Sequence, residues 1–281
     1  MGKLLRQINL DLACDGSFNM RHWTELGEFV GDATLYLGLL ADVDTQFERQ
    51  LEDCVDRNGR LWRNPKEAEE HSSPYSHGTS RDMLAGFLLG SLELSTTTEL
   101  HAVCNYIRQN RKLAPTGDNR TTIMPGTWAD LGDALHAKGL PVSHILGLWG
   151  YLCWFFLSPL KGLENYLSAL TVWKGYQLHL ILVSMLFQRR CGKRKGLFWN
   201  ATLKVLDNRL PQNPIVKYLQ GNLEWLEFEL PHMWNRANSS SAPYVWPWAH
   251  MDHVIAAHHM PKAAVYYMEK LRDDLKQRTV Q

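Results

Sequence analysis

Apolar residues recur at intervals of three and four along almost every segment of this chain, and alternating β-branched runs are missing. Such spacing places the apolar side chains on one face of a helix. We therefore predict a single all-α domain over residues 1–281, with roughly ten or eleven helices and helix for more than half of the chain. A helix pair returns roughly every 40 to 50 residues, which lies within the range of helical repeat architectures.

The stretch His71–Glu93 joins a polar, turn-rich segment to the start of an apolar helix. Thr79 or Ser80 is the expected N-cap, because a hydroxyl there accepts a hydrogen bond from the free N–H groups of the first turn. Gly86 and Gly90 lie inside this helix, where each glycine costs about 1 kcal/mol relative to alanine. Two such residues indicate close packing against a neighbouring element.

The loop and the first turn of the same helix carry Tyr75, His77, Arg81 and Asp82. In a first turn, Asp82 can simply complement the helix dipole while Arg81 pairs with a neighbour. A polar loop that delivers such side chains to one helix start is also how many active sites are built. Both interpretations stay open from the sequence.

Composition excludes some classes of function. A net charge of +1 gives no general attraction to nucleic acid or to an acidic membrane, so we expect no nucleic-acid partner. The five cysteines are scattered without a CxxC pair, which fits a reducing compartment better than a disulfide framework. The N-terminus has no long apolar region of the secretory type, so the expected location is cytoplasmic or virion-associated.

Several common catalytic motifs are absent. The sequence has no Gly-rich phosphate loop, no GxSxG elbow and no HExxH helix, which removes the commonest nucleotide, serine-hydrolase and metalloprotease interpretations. We expect no cofactor. The turn Cys191–Gly196 carries three cations that could bind phosphate, but such a run is more often a solvated loop.

The segment His144–Leu160 is apolar over most of its length. A membrane-spanning helix needs about 20 apolar residues, and this segment is shorter. The next apolar run, Tyr176–Phe187, is interrupted by Gln177, His179 and Ser184. We predict both as helices buried by other helices, with no membrane insertion.

Three short runs resemble elements of (α/α) toroid proteins: Asp56–Arg63, the loop into Ser80–Asp82, and Gly175–Leu180. Those proteins are the six-hairpin barrels of many glycoside hydrolases and polysaccharide lyases. The resemblance is one of layout. It implies helical hairpins in a toroid-like or incomplete barrel arrangement, since a full toroid is usually longer than this chain. It also implies a sugar-binding cleft at one rim, lined by aromatic and acidic residues.

Hydrolysis of a glycosidic bond requires two carboxyl groups, about 5–5.5 Å apart in retaining enzymes and about 6.5–9.5 Å apart in inverting ones. Asp82 is the first candidate for one of them. Asp130, Asp133 or Asp56 could supply the other, and the spacing in the sequence does not choose among them.

Elimination, the less favoured chemistry, requires a base that removes a proton beside a carboxylate. It also requires a cation that neutralises the charge developing there. Tyr75 or His77 suits the first role and Arg81 the second. The same loop and helix start therefore serve either reaction.

Candidate substrate-binding residues lie in two other places. Tyr176 and His179 share one helix face, where a buried, hydrogen-bonded pair in the core is the simpler interpretation. Trp246 and Trp248 flank a proline and could stack on sugar rings, with His250 close behind. The histidines and aspartate of that loop match no established ligand pattern, so no metal is expected. We further predict that this loop and the loop before Arg81 line the same cleft.

The leading hypothesis is a carbohydrate-active protein that hydrolyses a glycosidic bond in a poly- or oligosaccharide. The alternative is a non-catalytic structural or assembly protein, for example of a viral particle, with protein partners and the same helical scaffold. A membrane-associated helical protein is a third possibility, and it depends only on the apolar run His144–Leu160.

Overall fold

The computed structural model describes residues 33–41, 45–73, 78–115, 121–173, 175–193, 197–210 and 213–223. These ranges contain eleven α-helices, one 3-10 turn and two isolated bridges, and no strand. Helix accounts for 72% of the residues that the structure describes. The prediction of an all-α protein is confirmed.

The helices are numbered in chain order. They are α1 (Ala33–Leu40), α2 (Thr45–Glu52), α3 (Pro65–Glu70), α4 (Arg81–Ser91), α5 (Thr98–Asn110), α6 (Pro125–Ala137), α7 (Val142–Leu157), the 3-10 turn (Ser158–Leu160), α8 (Lys161–Thr171), α9 (Gly175–Arg190), α10 (Leu197–Arg209) and α11 (Pro214–Gln220).

The chain divides into two compact units. One comprises residues 31–199, and the other comprises residues 1–30 and 200–281. The single domain expected from the sequence stays a prediction. In the second unit, Asn213 caps α11 by accepting from the backbone N–H groups of Ile215 and Val216, as a cap followed by proline should.

Helix α4 is the centre of the larger unit, because it contacts α1, α2, α5, α6 and α9. Its two glycines allow α1 to approach closely. A Cβ added to Gly86 would lie 2.4 Å from Leu35 Cα, and one added to Gly90 would lie 2.7 Å from Gly38 Cα. The close packing predicted from Gly86 and Gly90 is confirmed.

Helices α6 and α7 form the second closely packed pair. Gly132 of α6 faces the indole of Trp154, and Gly150 of α7 faces the indole of Trp128. Each glycine therefore makes room for a large aromatic side chain of the opposite helix. This exchange fixes where α6 lies, and α6 carries two of the carboxylates considered above.

Two local expectations need correction. The sequence predicts loop from Pro65 to Gly78, but this region contains α3, whose start Asn64 caps by accepting from the backbone N–H of Glu67 at 2.9 Å. Ser80 is the N-cap residue of α4 as predicted, yet its side chain makes no capping hydrogen bond.

The prediction that His144–Leu160 is buried by other helices is wrong. Helix α7 is broken at Gly147, whose φ is 70°, and only one side of it packs inward. Trp149, Phe155 and Phe156 are exposed on the other side. Apolar composition predicted the helix correctly, but it does not say how many sides of the helix are covered.

Candidate functional site

A cavity of about 110 Å³ lies between α4, α6 and α9. Its lining residues are Arg81, Leu84, Ala85, Leu88, Thr127, Asp130, Val183, Ser184 and Phe187. A site for one water takes about 10–15 Å³ on the same scale, so this cavity has room for several water-sized groups. Two of the predicted site residues, Arg81 and Asp130, are brought together here. Asp82 follows Arg81 on α4 but does not line the cavity.

Asp130 has an asymmetric environment. Its Oδ2 accepts a hydrogen bond from Lys161 Nζ at 3.0 Å. Its Oδ1 is buried and has no hydrogen-bond partner among the described residues. Burial raises the pKa of Asp130 to about 6, and the ammonium of Lys161 opposes this increase. A carboxyl group that titrates near neutral pH can give or take a proton.

Lys161 holds two carboxylates at the start of α8. Its ammonium lies 3.0 Å from Asp130 Oδ2 and 2.9 Å from Glu164 Oε2. Burial alone would lower the pKa of Lys161, but the two carboxylates outweigh burial and raise it. The side chain of Glu164 is half exposed, so the two carboxyl groups around one cation have different degrees of solvation.

A second cavity, of about 540 Å³, has Lys161 on its wall. Its lining residues are Ser158, Pro159, Lys161, Gly162, Leu163, Gln188, Gly192, Lys193, Phe198 and Trp199. Gln188 is 3% exposed, and its Nε2 has no partner among the described residues. Phe198 and Trp199 add an aromatic wall. The cavity thus combines polar side chains with flat apolar surfaces, a combination that suits a ligand with hydroxyl or carbonyl groups.

Asp133, also considered as an acid, is surrounded by donors instead. It is 2% exposed and accepts from Trp154 Nε1 and Ser158 Oγ, both at 2.8 Å, and from Lys193 Nζ at 2.5 Å. Lys193 also donates to Ser158 Oγ. This network ties α6 to the end of α7 and to the turn after α9, and the Asp133 side chain itself lines neither cavity.

The thiol of Cys191 belongs to the same neighbourhood. Its Sγ lies 3.9 Å from the backbone oxygen of Asp133. Burial raises the pKa of this thiol to about 12, so it stays protonated at neutral pH. The basic turn that contains Lys193 was interpreted as a solvated loop, but Lys193 itself is an internal partner.

Asp56 closes a turn. Its carboxylate accepts from Trp62 Nε1 at 2.9 Å and from the backbone N–H groups of Asn58 and Arg60, and it lies 3.3 Å from His71 Nδ1. Only 3% of its side chain is exposed. These contacts stabilise the turn that passes through Asn58 and Gly59, and they occupy the carboxylate fully.

Five of the predicted site residues lie outside the described residues: Tyr75, His77, Trp246, Trp248 and His250. The shared cleft between the loops that carry them therefore stays a prediction. Tyr176 lies in the first turn of α9, and its side chain is not described. His179 is buried, as predicted.

Sequence reasoning missed Lys161, Glu164 and Gln188. The spacing of Lys161 and Glu164, three apart on a helix, is a recognisable signal for an ion pair. Their meeting with Asp130 could not be foreseen, because that contact joins positions 31 apart. Gln188 gave no signal, since an amide in an apolar helix is normally satisfied by a neighbour.

No family model matches the chain, and no curated protein or solved structure matches it either. The fold class and the candidate site are therefore argued from the sequence and structure of this chain alone. Among the described residues there is no group of three or more His, Cys, Asp or Glu side chains arranged to hold a metal ion.

Asp130 should titrate with a midpoint near pH 6 in the folded protein. The pKa of this group is raised from 3.8 on folding, so its contribution to stability is fully present below pH 3.8 and is lost as the pH rises through 6. Relative to Asp130→Asn, wild type should lose on the order of 2 kcal/mol of unfolding free energy between pH 4 and pH 7. Denaturant melts at both pH values measure this difference, and ¹³C NMR of the carboxyl gives the midpoint. A midpoint near 4 would contradict the burial argument.

Proposed function

We propose that this protein is carbohydrate-active and hydrolyses a glycosidic bond in a poly- or oligosaccharide. One sugar unit would occupy the cavity that contains Arg81 and Asp130. In this proposal the helices form an incomplete (α/α) toroid, and α4, α6 and α9 present the site. Asp130 is the general acid. The observation that carries the proposal is the carboxyl group of Asp130, a residue that lines the cavity. Its pKa is raised to about 6, and its buried Oδ1 has no partner among the described residues.

The walls of this cavity suit a pyranose ring. Arg81, Thr127 and Ser184 supply a guanidinium and two hydroxyl groups that can hydrogen-bond to sugar hydroxyls. Leu84 and Phe187 supply apolar surface for a ring face. Sugars need both kinds of wall, because their rings alternate polar edges with apolar faces.

The second carboxylate is Glu164. It meets the same ammonium as Asp130, at a comparable distance. The shared ammonium keeps the two carboxyl groups close to each other, as a pair acting on one bond requires. Asp82 remains the competing candidate, because it lies one position from Arg81 on α4.

The test combines a glycan array with two product assays on wild-type protein. One assay measures reducing ends, which hydrolysis releases, and the other measures the ultraviolet absorbance of unsaturated products, which elimination releases. We expect bound glycans, new reducing ends and no unsaturated product. Unsaturated product would show elimination and overturn the proposal of hydrolysis.

Asp130→Asn should lower turnover by about 100-fold or more, because a positioned general acid contributes that much. Binding on the array should persist, since the amide keeps the shape of the carboxyl group. Glu164→Gln and Asp82→Asn, assayed in parallel, separate the two candidates for the second carboxylate. Asp207→Asn is the matched control, because Asp207 is paired with Lys217 and lines neither cavity.

If wild type neither binds nor cleaves any glycan, the enzyme hypothesis fails. The same result would favour the alternative of a structural or assembly protein. Full activity in Asp130→Asn would show that Asp130 is not the general acid. Another residue would then have to fill that role.

A further inference from the structure

The charged residues that line the second cavity are both cations. Of the described residues on its wall, only Lys161 and Lys193 carry charge, and the whole lining belongs to the unit of residues 31–199. The three carboxylates that pair with these lysines, those of Asp130, Asp133 and Glu164, line no part of this cavity. The lining therefore presents positive charge, while the compensating negative charge lies outside it.

Each of the two ammonium groups has a donor that its contacts with the described residues do not use. A lysine ammonium carries three N–H donors. Lys161 uses two of them on its carboxylate partners, at 3.0 and 2.9 Å, and Lys193 uses two on Asp133 and Ser158. The carboxylates raise the pKa of Lys161 against the effect of burial, so this lysine stays charged at neutral pH. One N–H of each lysine thus remains for an oxygen of a ligand.

Much of the remaining lining is apolar. Leu163, Phe198 and Trp199 supply two rings and one branched side chain, with Pro159 beside them in the lining. Trp199 is buried, whereas Phe198 is 38% exposed, so one ring is held in the protein and the other meets solvent. Cations together with aromatic walls complement a small molecule that has an anionic group and a flat apolar body.

Charge balance selects the kind of anion. Two ammonium groups are balanced by three carboxylates when Asp130 is ionised, and by two carboxylates when Asp130 is protonated. A dianion such as inorganic phosphate would add two negative charges to a cluster that has no excess of positive charge. A carboxylate adds one. A small carboxylic acid, bound in its ionised form, is therefore the better match.

Lys161 connects the two cavities. Its side chain lines the second cavity, and its ammonium is bonded to Asp130, which lines the first. Burial raises the pKa of Asp130 to about 6, so Asp130 changes its charge near neutral pH. An anion at Lys161 favours the protonated form of Asp130, because that form removes one negative charge beside the same ammonium. By linkage, protonation of Asp130 strengthens binding of the anion.

We propose that the second cavity binds a small aromatic carboxylate, whose carboxylate group lies at Lys161 and Lys193 and whose ring lies against Phe198 and Trp199. Occupancy of this cavity is coupled through Lys161 to the protonation of Asp130. Gln188 and Ser158 add polar side chains to the same lining. The Asp130 carboxyl group thereby becomes a sensor of the ligand in the neighbouring cavity.

Other titratable groups surround Asp130. Helix α4 contributes Arg81 to the shared cavity, and α9 contributes only uncharged residues to it. The groups on or after the other neighbouring elements are Asp133 of α6, Lys161 and Glu164 of α8, and Cys191 after α9. A pH dependence of binding is therefore assigned to Asp130 only if it disappears in Asp130→Asn.

The first test is calorimetric titration of the full-length protein with benzoate at about pH 5. Benzoate is ionised there, because an ordinary carboxyl group has a pKa of about 4. We expect saturable binding with a dissociation constant of about 1 mM or lower. Benzamide, which has the same shape without the charge, should bind at least about tenfold more weakly. Equal binding of the two probes, or no saturable binding of benzoate, would overturn the proposal.

The second test places benzoate in the cavity. Phe198→Ala should weaken benzoate binding about fivefold, because it removes one aromatic wall. Phe156→Ala is the matched control, since Phe156 is 62% exposed and lines neither cavity. Far-UV circular dichroism checks that both variants are folded. If Phe198→Ala binds benzoate as tightly as Phe156→Ala does, the ligand lies elsewhere and the proposal is wrong.

The third test measures the coupling to Asp130. In wild type, the affinity for benzoate should fall about fivefold as the pH rises from 5 to 7, the lower end of coupling between two sites. ¹³C NMR should show a higher midpoint for Asp130 with saturating benzoate than without it. Asp130→Asn should bind benzoate with the same affinity at both pH values. An unchanged midpoint would show that Lys161 does not couple the cavities. No glycan is present in these measurements, so they are separate from the test of hydrolysis.

Discussion

Replacing Gly86 by alanine should destabilise the larger unit by about 3 kcal/mol, near the upper end for a change that overfills a packed interface. The new Cβ would lie 2.4 Å from Leu35 Cα and 2.7 Å from the Leu35 backbone oxygen. Both neighbours are backbone atoms, so no side chain can rotate away, and α1 must shift from α4. Urea denaturation followed by far-UV circular dichroism measures the loss.

Gly162→Ala is the matched control. Gly162 also lies in a helix, but its added Cβ would have Phe198 Cβ as its nearest neighbour, at 3.6 Å, which is ordinary contact. Alanine is favoured over glycine inside helices by up to about 1 kcal/mol, so this variant should be neutral or slightly more stable. Equal stability of the two variants would show that α1 and α4 are farther apart than described.

Replacing Asp133 by asparagine should cost about 2 kcal/mol, the size expected when hydrogen bonds to a buried charged acceptor are weakened. Asp133 accepts hydrogen bonds from Trp154, Ser158 and Lys193. The neutral amide can keep an oxygen in the position of Oδ1, but it weakens all three hydrogen bonds and leaves the Lys193 ammonium without a negative partner. Denaturant melts again give the change in unfolding free energy.

Glu93→Gln provides the comparison for this second variant. Glu93 also pairs with a cation, Arg190 at 2.8 Å, but its side chain is 30% exposed. Water can replace much of that interaction, so the expected loss is about 1 kcal/mol or less. If Asp133→Asn costs no more than Glu93→Gln, the network around Asp133 contributes little to stability.

The helix content was predictable from the sequence, because apolar residues spaced three and four apart are typical of a helix with one buried face. Helix α3 escaped notice because its six residues are too few to show a period. Its signal was the cap at Asn64 followed by Pro65, which also marks α11 at Asn213 and Pro214. The exposed side of α7 was not predictable either. Large aromatic residues such as Phe155 and Phe156 are normally expected in the core, and the sequence does not show that their side of the helix is uncovered.

The candidate site was predictable in part. Arg81 and Asp130 were singled out by residue type and by their place near helix starts, and the structure places both on one cavity. The environment that distinguishes Asp130 from Asp133 depends on contacts between distant positions. Asp133 contacts Lys193, which lies 60 positions later in the sequence. No local sequence pattern predicts a contact between residues so far apart.

Two helix ends turn through left-handed backbone at residues that are not glycine, His71 with φ 52° and Arg111 with φ 56°. This conformation costs roughly 1–2 kcal/mol for a residue with a Cβ. Both side chains reach across to another element: His71 lies 3.3 Å from Asp56, and the Arg111 guanidinium lies 5.4 Å from the ring centre of Trp128. At each position the backbone of one residue ends the helix and turns the chain, and the side chain of the same residue contacts another element. Backbone preference alone would favour glycine at both positions, but glycine has no side chain to make these contacts. The identity of both residues is therefore determined by tertiary contacts and not by the local backbone conformation.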